Sequence, residues 1–170
     1  QVYLGIEGTG FTDCLLIATV AAILTYIPAG IIASKIGRRK TILIGITLML
    51  ISFISAAFFT EWSPVLIVLF ALTGIGWASI NVNSYPMVVE MSRGANIGRY
   101  TGYYYTFSMA AQVLTPILSG FLLEHVGYWT LFPYSVCFLI LAFIVMLFVK
   151  HGDSKPIPPK SKLEMLDVDD

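Results

Sequence analysis

Charge is the scarcest commodity in this chain. Only 12% of its 170 residues are Asp, Glu, Lys or Arg, against about 25% in an ordinary soluble domain. Hydrophobic residues make up 57% of the sequence and the mean hydropathy is +0.82, a balance that argues against a water-soluble fold. The ten basic and ten acidic residues cancel, so no net field favours a nucleic-acid partner and none is expected. Cysteine and histidine are nearly missing. Cys14 and Cys137 form no CxxC pair, and His125 and His151 fall at helix ends without a partner in sequence. Both thiols are therefore expected to be buried apolar groups, and no metal or other cofactor is expected. There is no nucleophile set beside a base and no phosphate-cradling Gly loop, so the chain is not expected to be an enzyme. No basic n-region and cleavage site precede the first apolar run. With Gln1 in place of Met, a missing upstream piece is the expectation.

What remains is long apolar runs. Crossing a hydrocarbon core of about 30 Å takes about 20 apolar residues in a helix. Five stretches qualify, at about 14–34, 41–59, 65–89, 100–123 and 130–149. This predicts an all-α integral membrane protein: an outer segment 1–13, a five-span domain 14–149 and a tail 150–170. The tail carries Pro156, Pro158 and Pro159 and ends in Glu164, Asp167, Asp169 and Asp170, a composition that cannot bury a core and predicts disorder.

The few charges orient the spans. Lys35, Arg38, Arg39, Lys40, Arg93, Arg99, Lys150, Lys155, Lys160 and Lys162 are all the basic residues, and five spans put every one of them on one side. By the positive-inside rule that side is the cytoplasm. A multi-pass protein of the cell membrane is expected, with residues 1–13 outside and the tail inside. Glu7, Asp13, Glu61 and Glu124 mark the outer face, where Trp62, Tyr128 and Trp129 suit the headgroup level.

Polar residues within the spans are costly unless they pair or line a wet cavity. In the fourth span Thr101, Tyr105, Ser108, Gln112, Thr115 and Ser119 share a sector about 80° wide. In the third, Thr73, Trp77, Asn81 and Ser84 share a side, with Tyr85 at its margin. Asn83 points elsewhere and is expected to bond a neighbouring helix. Thr12, Thr19, Tyr26 and Gly30 line one side of the first span, whereas the second and fifth spans are nearly all apolar and suit lipid-facing positions. Pro28, Pro86 and Pro116 are expected to interrupt their helices and free carbonyls. Gly98 and Gly102 form a GxxxG expected to permit close packing.

The segment GIIASKIGRRK, from Gly30 to Lys40, resembles the basic loop signature of the major facilitator superfamily. Gly30, Ala33, Lys35, Gly37, Arg38 and Arg39 match that pattern, while Ser34 stands where the family usually has Asp. The resemblance implies a cytoplasmic gate element, with Glu90, followed by Arg93, as the partner of the basic cluster. The degraded signature and acidic tail place the chain as spans 8–12, the C-terminal part of that fold, with the N-terminal half missing. A weaker likeness, in GWASINVNSYPMVVEMSRG, is to the sugar-cation symporter branches, including glycoside-pentoside-hexuronide and sucrose transporters.

The resemblance implies secondary transport by alternating access. Candidate substrate-facing residues are Tyr26, Asn81, Tyr85, Tyr105, Ser108 and Gln112, whose amides, hydroxyls and rings suit a small polar solute such as a sugar. No mid-membrane carboxylate is visible, so a coupling proton or sodium ion would be handled by the missing part. The rival expectation is a non-transporting scaffold or anchor whose polar faces join helices.

Overall fold

In the computed structural model, residues 10–59, 61–91 and 96–150 are described, and they contain five long helices and no strand. The helices are α1 (Gly10–Ile36), α2 (Arg38–Ala56), α3 (Pro64–Met91), α4 (Ile97–His125) and α5 (Leu131–Phe148), with one turn of 3-10 helix, Tyr128–Thr130, leading into α5. Each has an apolar stretch long enough to cross a bilayer. In lipid a helix is the open-chain form that satisfies every backbone group internally, which is why these runs are helical. Arg93 and the tail 151–170 lie outside the described residues.

The loops turn where the sequence supplies the right residue. Gly37 separates α1 from α2 at φ 99°, a backbone conformation open to glycine. Its N–H bonds Ala33 O at 2.9 Å, and its carbonyl accepts from the Thr41 hydroxyl at 3.0 Å. Gly127, at φ 122°, closes α4 in the same way, its N–H reaching Leu122 O at 3.1 Å. α2 stops at Ala56, ahead of the apolar run's end at Phe59, and the chain leaves through turn bonds from Ala57, Phe58 and Phe59 N–H. Pro28, Pro86 and Pro116 all sit inside unbroken helices, so the expected interruptions do not occur. Membrane helices tolerate proline because neighbouring groups and small local adjustments satisfy the freed carbonyls.

α3 is the hub. It packs parallel to α1 and antiparallel to α2, and both contacts form where side chains are smallest. At Gly74 the α3 backbone lies against Ala18 of α1, and at Gly76 it lies against Gly45 of α2. Small residues bring helices close enough for backbone-to-backbone van der Waals contact, the main attraction available between helices in lipid. α2 is thereby sandwiched between α3 and α5, with Thr41, Ile42, Gly45, Ile46 and Ser52 buried. One face of α2 is thus an inner one, while Ile44, Ile51 and Ile54 form an exposed apolar stripe on the other, so the expectation of a lipid-facing second span can apply to that stripe alone. α5 lies outside α2, with Phe53 and Phe132 in ring contact at 6.4 Å. Cys137 on α5 is exposed, contrary to the expected burial, whereas Cys14 is buried; no other described residue covers the side of α5 that carries Cys137.

α4 has no buried residue and touches α3 mainly through its first turns. Nothing lies within 4 Å of a Cβ built at Gly98 or Gly102. The expected close packing through this GxxxG is therefore absent among the described residues.

Candidate functional site: one polar end and two interhelical faces

The basic loop ties three helices together at one end of the bundle. Arg38, in the first turn of α2, places Nη2 2.6 Å from Oε1 of Glu90, near the end of α3. Its neighbour Arg39 points the other way: Nη2 donates to Leu147 O at 2.5 Å and Nε to Met146 O at 3.4 Å. Those carbonyls belong to the last turn of α5, where the helix dipole and unsatisfied oxygens favour a cation. Two adjacent arginines on one helical turn thus diverge to hold α3 and α5. Ser34 donates to its own helix at Ile31 O, 2.7 Å, and stands exposed. Together with Gly30, Arg38, Asn83 and Pro86 it borders a cavity of about 260 Å³ at this end. Gly30 itself makes no tight contact, its nearest neighbour for an added Cβ being Val82 at 3.9 Å.

Farther into the bundle, the candidate residues separate into two groups. Tyr85 of α3 meets α4: its ring lies 5.8 Å from Tyr105 and 5.6 Å from Tyr104, and its hydroxyl is 3.5 Å from that of Thr101. Tyr104 and Tyr105 are themselves edge-on at 5.4 Å. Edge-on and tilted rings at this spacing attract through their quadrupoles, and this cluster is what holds α4 to α3. Tyr104 lies off the polar stripe of α4 and was not legible as a site residue. Tyr26 of α1 meets Trp77 of α3, edge to face at 6.4 Å. The two rings border a cleft of about 410 Å³ between α1 and α3, with Thr19 and Thr73 also on its walls.

Asn81 is not brought to Ser108 and Gln112, which meet only each other on α4. Asn81 is exposed on α3, its amide donating to Trp77 O at 2.9 Å. Gln112 is exposed on α4 and reaches the Ser108 hydroxyl of its own helix at 3.4 Å. Asn83 is buried toward α2, yet its amide donates to Ser79 O of α3 at 2.8 Å rather than to a neighbouring helix. The same holds for the hydroxyls: Thr19, Thr25, Thr47, Ser52, Thr73, Ser79 and Ser84 each return to the carbonyl four residues earlier. This back-bonding satisfies a hydroxyl in an apolar setting without joining helices.

Comparison with known proteins agrees with this architecture. The sequence profile of the Major Facilitator Superfamily matches residues 1–166. The Schizosaccharomyces pombe MFS-type transporter C18.02 is 30% identical over 134 residues, covering 78% of this chain and 29% of that protein. The Bacillus subtilis protein YqgE is 27% identical over 168 residues, covering 91% of this chain and 38% of that protein. The chain therefore spans about a third of the length of these relatives. No solved structure matches it significantly. With the profile covering nearly every residue and five bilayer-length helices in place, the chain belongs to the Major Facilitator Superfamily, a family of multi-pass membrane transporters.

Proposed function

We propose that this chain is part of a secondary transporter that moves a small polar solute by alternating access, the solute site lying near the bilayer midplane between two rocking bundles. Tyr26, Asn81, Tyr85, Tyr105, Ser108 and Gln112 face the solute, and the weaker sequence likeness favours a sugar taken up by symport with a proton or sodium ion. The partner bundle is a further N-terminal half, and any coupling carboxylate belongs there. Arg38, Arg39 and Glu90 form the latch at the cytoplasmic end, with the N-terminal end of the chain outside and the tail inside.

The observation that carries this reading is a pair of exposed amides far from either helix end. At 1.5 Å per residue, Asn81 lies about 15 Å from the end of α3 and Gln112 about 22 Å from the start of α4. Each makes one bond, within its own helix, and leaves its remaining amide groups without a partner among the described residues. In hydrocarbon such groups are costly, so they require water, solute or another polar surface. The scaffold alternative is weakened by the hydroxyls that bond back to their own helices, because interhelical polar contacts would be its main device.

Uptake of radiolabelled monosaccharides and disaccharides into proteoliposomes holding the complete protein that carries this chain tests the proposal. Asn81→Ala and Gln112→Ala are expected to lower kcat/KM with normal folding and insertion. Wild-type kinetics in both variants would defeat the site assignment.

A further inference from the structure

We propose that the cavity at the basic end of the bundle binds inorganic phosphate or a phosphate monoester, an oxyanion that keeps an O–H of its own. The site is separate from the solute-facing residues. It therefore goes beyond the transport reading and does not depend on which solute is carried.

The cavity, about 260 Å³, lies where three helices meet, bordered by Ala33 and Ser34 of α1, Arg38 of α2, and Val82, Asn83 and Pro86 of α3. A water takes about 30 Å³, so a tetrahedral ion fits with a few waters around it.

One wall is cationic. Arg38 gives Nη2 to Glu90 at 2.6 Å, yet a guanidinium carries five N–H donors, and Arg38 has no other partner among the described residues. Its planar fork matches phosphate oxygens. Arg38 also opens α2, where Gly37 supplies no side chain to cap the first turn, and uncapped N–H groups at the positive end of a helix favour an anion. Lys35, in the last turn of α1, offsets the negative end of that helix.

The other wall only accepts. Asn83 is 1% exposed. Its amide N–H donates to Ser79 O at 2.8 Å, while its Oδ1 has no partner among the described residues. No fully enclosed side-chain oxygen is left unpaired among those residues, so Oδ1 keeps a small opening, and the cavity is the space that Asn83 borders. Beside it, Pro86 lacks the N–H that would bond Val82 O one turn back. The Ser34 hydroxyl hydrogen is spent on Ile31 O at 2.7 Å, which leaves its lone pairs.

A cationic fork facing neutral acceptors selects a ligand with anionic oxygens on one side and a donor on the other. Hydrogen phosphate is such an ion. Sulfate and the phosphodiester of an ordinary phospholipid have the oxygens but no O–H, and would set lone pairs against Asn83 Oδ1. A metal cation would meet the Arg38 charge.

The test is equilibrium binding of radiolabelled inorganic phosphate to the complete protein that carries this chain, in phosphatidylcholine nanodiscs, with empty nanodiscs subtracted. Saturable binding is expected, with sulfate a competitor weaker by about tenfold or more, the factor for leaving a buried acceptor unpaired. Ser34→Asp changes an exposed residue whose hydroxyl bonds within its own helix, and its carboxylate should abolish binding. Arg38→Gln should do the same, while Lys40→Gln, exposed and off the cavity, should leave binding unchanged. Phosphatidic acid, a lipid with a phosphate monoester, separates the two sources when added to the nanodiscs: displacement of the label supports the site with a lipid headgroup as occupant, and no displacement supports it with soluble phosphate. Equal competition by sulfate, or no saturable binding by well-folded protein, would overturn the inference. Binding that survives both Ser34→Asp and Arg38→Gln would place the phosphate elsewhere in the protein, and an equal loss in Lys40→Gln would mean a diffuse basic patch; either result also overturns it.

Discussion

Replacing Gly74 by alanine probes the closest contact in the bundle. A Cβ at this position would lie 2.0 Å from Ala18 O, 2.9 Å from its carbonyl carbon and 3.1 Å from its Cα. All three are backbone atoms of α1, so no flexible side chain can swing aside. Restoring ordinary carbon–oxygen contact means parting α1 from α3 by about 1 Å, which forfeits a quarter to a half of the attraction across the seam. Overpacking a core costs about 1–3 kcal/mol, and rigid backbone on both sides puts this site near the upper figure. Alanine returns up to about 1 kcal/mol of helix propensity, leaving a net loss of about 2 kcal/mol. Gly102→Ala is the control: nothing lies within 4 Å of its new methyl, so it keeps the propensity gain of up to about 1 kcal/mol. The two variants should differ by about 3 kcal/mol, or roughly 6–12 °C in Tm at 2–4 °C per kcal/mol for chains of 150–250 residues. Thermal unfolding can be followed in detergent with a thiol-reactive fluorogenic dye in a Cys137→Ser background, where Cys14, 2% exposed, reports the opening of the bundle. Should Gly74→Ala melt at or above Gly102→Ala, the packing argument at the α1–α3 seam is wrong.

The basic loop offers three further tests. Arg38→Gln and Glu90→Gln should each destabilise slightly, and the charge-swapped double variant should recover part of the loss. Because the two side chains are 28% and 23% exposed, the coupling in a double-mutant cycle should be about 0.2–1 kcal/mol and should shrink with salt. Arg39→Met keeps an apolar stem but removes the donors to Met146 and Leu147 carbonyls; hydrogen exchange in the last turn of α5 should rise by more than tenfold, in line with about 1.5–3 kcal/mol for a charged hydrogen bond. Gly37→Ala, at φ 99°, should cost about 1–3 kcal/mol of backbone strain and lower the Tm, while Gly30→Ala, with 3.9 Å of clearance, should not lower it.

The five helices were legible because lipid leaves a chain few choices: an apolar run of bilayer length must satisfy its own backbone, so length and composition suffice. Helix partners were less legible. Polarity placed the second span outside, yet α2 lies between α3 and α5 because Gly45 and Gly76 let backbones meet. A glycine in an apolar run carries no mark of whether it faces a helix or open space, and Gly74 and Gly102 differ only through the crossing they sit at. The polar stripe of α4 was readable by periodicity, but periodicity says which residues share a face and not what that face meets. Tyr104 was missed for that reason, since it contacts Tyr85 from beside the stripe. Trp77 was visible on the polar side of the third span, but its pairing with Tyr26 depends on the parallel packing of α1 and α3, which no local pattern encodes.

The threading of the helices underlies every functional statement above, and impermeant labelling tests it most directly. Single cysteines introduced as Ser63→Cys, before α3, and Lys40→Cys, in the first turn of α2, in a Cys14→Ala, Cys137→Ser background would be exposed to a membrane-impermeant maleimide on intact cells. The account predicts that Ser63→Cys labels from outside and Lys40→Cys labels only after permeabilisation. Labelling of both from the same side would contradict a five-span chain whose basic ends share one compartment.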